Sequence, residues 1–226
     1  MEKIELISEI VKTLLFAMAA IWGIAISFKK RSALFLQIVA CALACMALGN
    51  VFTFVLQITA PQDILSDMVN GFNIGLLGSF GLFAFLFSAS FGQIDGLGDD
   101  RSKELRKYRF IALIAPVVMS AILALTIFSG TEPEMQIMYV VLYVPAILAS
   151  YYNLKHLIIP DIDDGILSAI RKYNLTVLIM ILLTLISAAS KQYDFTVIYA
   201  VLNVLTGISA PIVFYFAKRG SEAWLK

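Results

Sequence analysis

Seven apolar stretches, each long enough to cross a bilayer, fill almost all of this 226-residue chain, which leaves little room for anything besides membrane helices. They are read at about 10–28, 33–58, 69–91, 109–129, 136–158, 172–190 and 195–217. Backbone N–H and C=O groups in hydrocarbon must bond within their own segment, so each stretch is expected to be an α-helix. With 60% hydrophobic residues and a mean hydropathy of +0.88, an ordinary soluble domain is excluded. The intervening loops are short. The expectation is therefore an all-α integral membrane protein, one domain spanning 1–226 and built as a seven-helix bundle.

The basic residues orient it. Of the 17 Lys and Arg, 14 fall after stretches one, three, five and seven; the exceptions are Lys3, Lys12 and Lys191. Basic loops stay in the cytoplasm, so the amino terminus is expected outside and the carboxyl terminus inside, in the plasma membrane. Glu2, Glu5 and Glu9 precede the first stretch and no small-residue cleavage site follows it, so it reads as a retained helix rather than a signal peptide.

Chemistry-bearing motifs fail one by one. Asp161-Ile162-Asp163-Asp164-Gly165 resembles the opening of a calcium loop, but its carboxylate spacing is one residue short and the closing Glu is absent. The same residues resemble the start of the metal-holding motif of the CDP-alcohol phosphotransferases. That family needs further Asp residues on the next helix, and after Asp164 only Asp194 remains, beyond the sixth stretch. A solvated acidic loop is the simpler reading. His156 is the single histidine, which excludes multi-histidine zinc or haem sites, and next to Lys155 it reads as a snorkelling helix-end residue. Gly78-Ser79-Phe80-Gly81 resembles a nucleophile turn but has no base beside it. The layout resembles that of the microbial rhodopsins, yet the seventh stretch has no lysine before Lys218, so retinal has no attachment point. Cys41 and Cys45, four apart on one helix, are poorly placed to bridge. No catalytic residue, metal or cofactor is expected. The net charge of +1 offers nothing to nucleic acid.

Two constellations survive. In the third stretch Gly71, Gly75 and Gly78 fall within about 60° of one another at 100° per residue, with Gly81 at the flank. Small-residue faces are how membrane helices approach closely. This face suits intramolecular packing, a dimer seam or a flat ligand shelf. Phe80, Phe83, Phe87 and Phe91 are expected on the opposite, lipid-facing side.

The second constellation is polar. Asn50, Thr53 and Gln57 share a face of the second stretch, and Tyr199, Asn203 and Thr206 share one on the seventh, with Thr196 beside them. Tyr139 and Tyr143 precede Pro145 in the fifth, and Asn73 opens the third. Amides and phenols are expensive in lipid and should turn inward. They either bond each other between helices or line an outward-opening pocket for a neutral or amphipathic small molecule. Asn50, Tyr143 and Asn203 are expected among its lining residues. No charged residue falls in the middle of any stretch as drawn, which lowers the expectation of ion coupling.

Pro116, Pro145 and Pro211 lie inside stretches, where they kink helices. Residues 93–109 and 161–174 echo each other through Arg106-Lys107-Tyr108 and Arg171-Lys172-Tyr173, either as a duplicated hairpin or as two inner-interface anchors. The sequence thus supports a non-enzymatic, ligand-binding or sensory membrane protein that acts through a partner, contacted by loops 92–108 and 159–171. The alternative is a small uncoupled transporter, with a lipid-metabolising enzyme third.

Overall fold

The structure, a computed structural model, describes residues 2–29, 32–59, 74–92, 103–129, 133–160 and 166–224. It has α1 (Glu2–Ser27), α2 (Leu34–Thr59), α3 (Ile74–Gly92), α4 (Arg106–Phe128), α5 (Pro133–Ile158), α6 (Ile166–Gln192) and α7 (Thr196–Trp224). A turn at Leu113 divides α4 into two segments, and no strand occurs among the described residues. All seven helices are long and apolar enough to cross a membrane, which makes this an integral membrane protein.

Six helices close a ring. α1 packs on α2, α2 on α3, α3 on α5, α5 on α6, α6 on α7, and α7 returns to α1. α4 stands outside that ring, against α5 and α6. Tyr143 of α5 holds it there, reaching Thr126 of α4 at 3.1 Å while donating to the Leu185 carbonyl of α6 at 3.2 Å. The hairpins α3–α4 and α5–α6 are therefore not equivalent: α5 and α6 pack together, whereas α3 and α4 do not pack extensively. Their Tyr residues differ too, since Tyr173 is fully buried edge-on to Phe35 and Tyr108 only half-buried. The duplicated-hairpin reading loses its geometric basis.

The surface is what lipid requires. Ile21, Leu48, Val117 and Phe128 point outward with 66–81% of their area exposed. Lipid tails solvate such side chains as well as a protein core does, so burial between helices goes to small and polar residues and to a few large plugs. α2 and α3 come closest. A Cβ added at Gly78 would lie 2.6 Å from the Cys45 carbonyl oxygen and from the Gly49 Cα, and one at Gly49 would lie 2.8 Å from the Gly75 oxygen. Gly81 faces the Cys45 side chain, whereas Gly71 lies outside the described residues. The expected lipid face of α3 is corrected in part: Phe83 is fully buried and Phe80 and Phe87 are half-buried, because α3 has a neighbour on each side, while Phe91 is exposed as expected and Leu77 and Phe85 join it.

The first span also needs correction. α1 begins eight residues earlier than expected, at Glu2, so Glu9 sits inside a membrane helix and Lys12 lies in its middle third rather than at its edge. Nor does His156 snorkel: it is fully buried, and Lys155 is 3% exposed, because α5 runs between α3 and α6 at this level.

The α6–α7 connection is tight. Asp194 adopts φ 55°, and the Phe195 N–H donates back to the Ser190 carbonyl at 3.0 Å, which ends α6 and lets α7 start at Thr196. Only Gly, Asn and Asp take that left-handed conformation readily. Asp194→Val should cost about 1–2 kcal/mol and Asp194→Gly should not destabilise. Thermal unfolding of both variants in detergent checks this, and a Val variant as stable as the parent would remove the argument.

Candidate functional site

All six ring helices contribute to one cavity of about 250 Å³, and α4 contributes nothing. It lies toward the end of the bundle where the odd-numbered helices begin, here called the far end, opposite the basic end. Of the residues expected there, Asn50 and Thr53 come from α2, Tyr139 from α5, and Tyr199, Asn203 and Thr206 from α7. Tyr143 does not line it. One turn beyond Tyr139 it is already turned toward α4, and its hydroxyl is consumed by Thr126 and Leu185. Asn73 lies outside the described residues, as does the side chain of Gln57.

Sequence reasoning missed the charged part of the lining. Glu9 and Lys12 enter from α1, and Thr184, Ser187 and Lys191 from α6. Gly207 explains how Lys12 gets in: a Cβ there would sit 2.9 Å from the Lys12 Cα, so α1 and α7 touch backbone to backbone. A signal did exist. Glu5, Ser8, Glu9 and Lys12 recur at i, i+3, i+4 and i+7, a polar stripe down one helical face. Thr184, Ser187 and Lys191 repeat it on α6.

Asn203 is the hub. Its Oδ1 accepts from Lys12 Nζ at 3.1 Å and from Ser187 Oγ at 3.1 Å, and its Nδ2 donates to Ser8 Oγ at 3.5 Å. The amide is 2% exposed, so α1, α6 and α7 are tied by one side chain. Glu9 forms a second knot, accepting from the Tyr199 hydroxyl and pairing with Lys191 at 3.8 Å. The Lys191 ammonium also lies 5.3 Å over the Tyr199 ring. At the rim Gln192 donates to the Tyr139 hydroxyl. One donor is idle: the Asn50 Nδ2 is buried and has no partner among the described residues.

Apolar wall and floor complete the site. Met46, Leu76 and Leu142 line one side. One turn toward the basic end stand Phe16 below Lys12, Leu43 below Met46, Leu82 below Ser79 and Met180 below Thr184, all fully buried. This plug closes the cavity from the basic half. In that half the interior turns polar again. Asn153 donates to Ser90 at 2.9 Å, while its Oδ1, both amide atoms of Asn174 and the Tyr173 hydroxyl are buried without a partner among the described residues.

No family model, no curated protein and no solved structure matches the chain.

Proposed function

We propose that this is a non-enzymatic plasma-membrane protein that binds a small amphipathic molecule in the ring cavity and passes that event to a partner protein. The observation carrying the reading is that six helices supply the lining, so an occupant touches every element of the ring. Such a site converts occupancy into a change of packing throughout the bundle, which is what sensing requires. The lining pairs apolar wall with a few fixed polar groups, the usual chemistry of small-molecule pockets. The excess of Lys and Arg at the other end supports a far end facing outside, with the carboxyl terminus and loops 92–108 and 159–171 turned to the cytoplasm and the partner.

Transport by facilitated passage is the second reading. What favours it is the unpartnered amide and phenol groups beyond the plug, which a molecule passing toward the basic end would meet.

Orientation is tested by labelling. In a protein lacking Cys41 and Cys45, a cysteine at Tyr193 should react with an impermeant maleimide in intact cells, and one at Lys218 only after lysis. The reverse pattern would invert the arrangement. Binding is tested by screening water-soluble amphiphiles for stabilisation of the protein in nanodiscs, with Thr184→Leu, which fills the cavity, removing the effect. Stabilisation that survives Thr184→Leu places binding elsewhere. Liposomes containing only this protein then separate the readings: flux of the bound compound supports transport, and binding without flux supports sensing.

A further inference from the structure

We propose that the cavity selects an organic anion, a small carboxylate whose head meets Lys12 and whose apolar body lies against Met46, Leu76 and Leu142. This rests on the cavity being a binding site and names what it takes.

The argument is one of charge and of unused donors. Three formal charges line the cavity: Lys12, Lys191 and Glu9, two cations to one carboxylate. Glu5, one turn nearer the far end, is outside the lining. Glu9 is already engaged, by the Tyr199 hydroxyl and by Lys191 at the rim, where Lys191 remains half exposed to solvent. Lys12 lies deeper. Among the described residues its one hydrogen bond goes to Asn203, a neutral amide, although an ammonium carries three donors. The carboxylate nearest Lys12 in sequence, Glu9 one turn away, is shared with Lys191 and Tyr199, and no ion pair joins it to Lys12 among the described residues. A ligand carboxylate in the cavity would supply a closer counter-ion to a costly intramembrane ammonium.

Asn50 adds the second half of the recognition. Its buried Nδ2 is a donor without a partner, across the same cavity on α2. A carboxylate has two oxygens and only accepts hydrogen bonds, so one ammonium and one amide N–H suit it. An incoming cation would meet Lys12 unfavourably and find Glu9 occupied. Size sets a bound: a cavity of 150 Å³ holds benzene, so one of about 250 Å³ takes roughly ten non-hydrogen atoms.

Benzoate, benzamide and benzylammonium have nearly one shape and differ in charge, and they are the probes. Calorimetric titration of the full chain in nanodiscs should give benzoate an affinity at least about tenfold above benzamide, the range expected for a hydrogen bond to a charged group, with benzylammonium weakest. Lys12→Gln keeps a donor for Asn203 and removes the charge, so benzoate should fall to the benzamide level at an unchanged unfolding temperature. Lys191→Gln should lose much less. If Lys12→Gln fails to fold, Asn50→Leu serves instead and should weaken benzoate more than benzamide. Equal or tighter binding of benzamide or benzylammonium would overturn anion selectivity while leaving the cavity a binding site. No binding of any probe also overturns the proposal, and the wider screen above then decides separately whether the cavity binds anything.

Discussion

Gly78→Leu is expected to abolish the folded bundle. The added Cβ alone would come within 2.6 Å of the Cys45 carbonyl oxygen and the Gly49 Cα, and neither is a side-chain end that can swing aside. α2 and α3 would have to separate along their contact, and overpacking of this kind costs about 1–3 kcal/mol even for one or two extra methylenes. Gly78→Ala should therefore already lower the unfolding temperature in detergent, and Leu should leave only aggregate on size exclusion. Phe85→Leu, on the lipid face at 38% exposure, is the control and should behave like the parent. A Gly78→Leu protein that elutes as the parent does and melts within about 2 °C of it, less than 1 kcal/mol in a domain this size, would show that the two backbones do not touch.

Asn203→Leu should be nearly as damaging, for an electrostatic reason. The leucine removes three hydrogen bonds and strands the Lys12 ammonium and the Ser187 hydroxyl in a poorly hydrated interior. Leaving a charged donor unsatisfied costs about 3 kcal/mol or more, which for a chain of this size corresponds to a fall of roughly 6–12 °C. Adding Lys12→Met to Asn203→Leu removes the stranded charge and should recover much of the loss, so the cycle isolates the coupling. Asn50→Leu is the informative contrast: its Nδ2 has no partner to lose, and stability should hardly change. Equal losses for Asn50→Leu and Asn203→Leu would mean that the hub carries no special load.

Helix positions were legible because length and apolarity are properties of one segment at a time. The second, fourth and fifth spans agree with the described helices to within three residues at both ends, whereas α6 begins six residues earlier and α7 ends seven residues later than expected, and the expected start of the third span lies outside the described residues. α1 begins eight residues before its expected start, since hydropathy discounts charged residues and moved the boundary past Glu9, a carboxylate of the cavity lining, and left Lys12 at the edge of the span. The inward faces of α2 and α7 were readable from the cost of placing an amide in lipid. The difference between Tyr139 and Tyr143 was not, because it depends on α4 leaving the ring, and no periodicity within one helix contains that information. Gly49 was missed for a related reason: a single glycine becomes a contact only once its partners Gly75 and Gly78 are known to lie across from it.

The backbone contact between α2 and α3 has a mechanical consequence. Two helices that meet through Gly49, Gly75 and Gly78 have no flexible side chains between them to absorb sliding, so they behave as a single stiff strut. Any breathing of the cavity must then be taken up on the other side of the ring. There α5 and α7 each carry a proline, Pro145 and Pro211, that deletes one rung of the helical hydrogen-bond ladder. The molecule is thereby divided into a fixed jaw and a compliant one. Lys12 rides on α1, which bridges the two jaws: it packs on α2 of the strut along one side and, at Lys12 itself, touches the backbone of compliant α7 at Gly207.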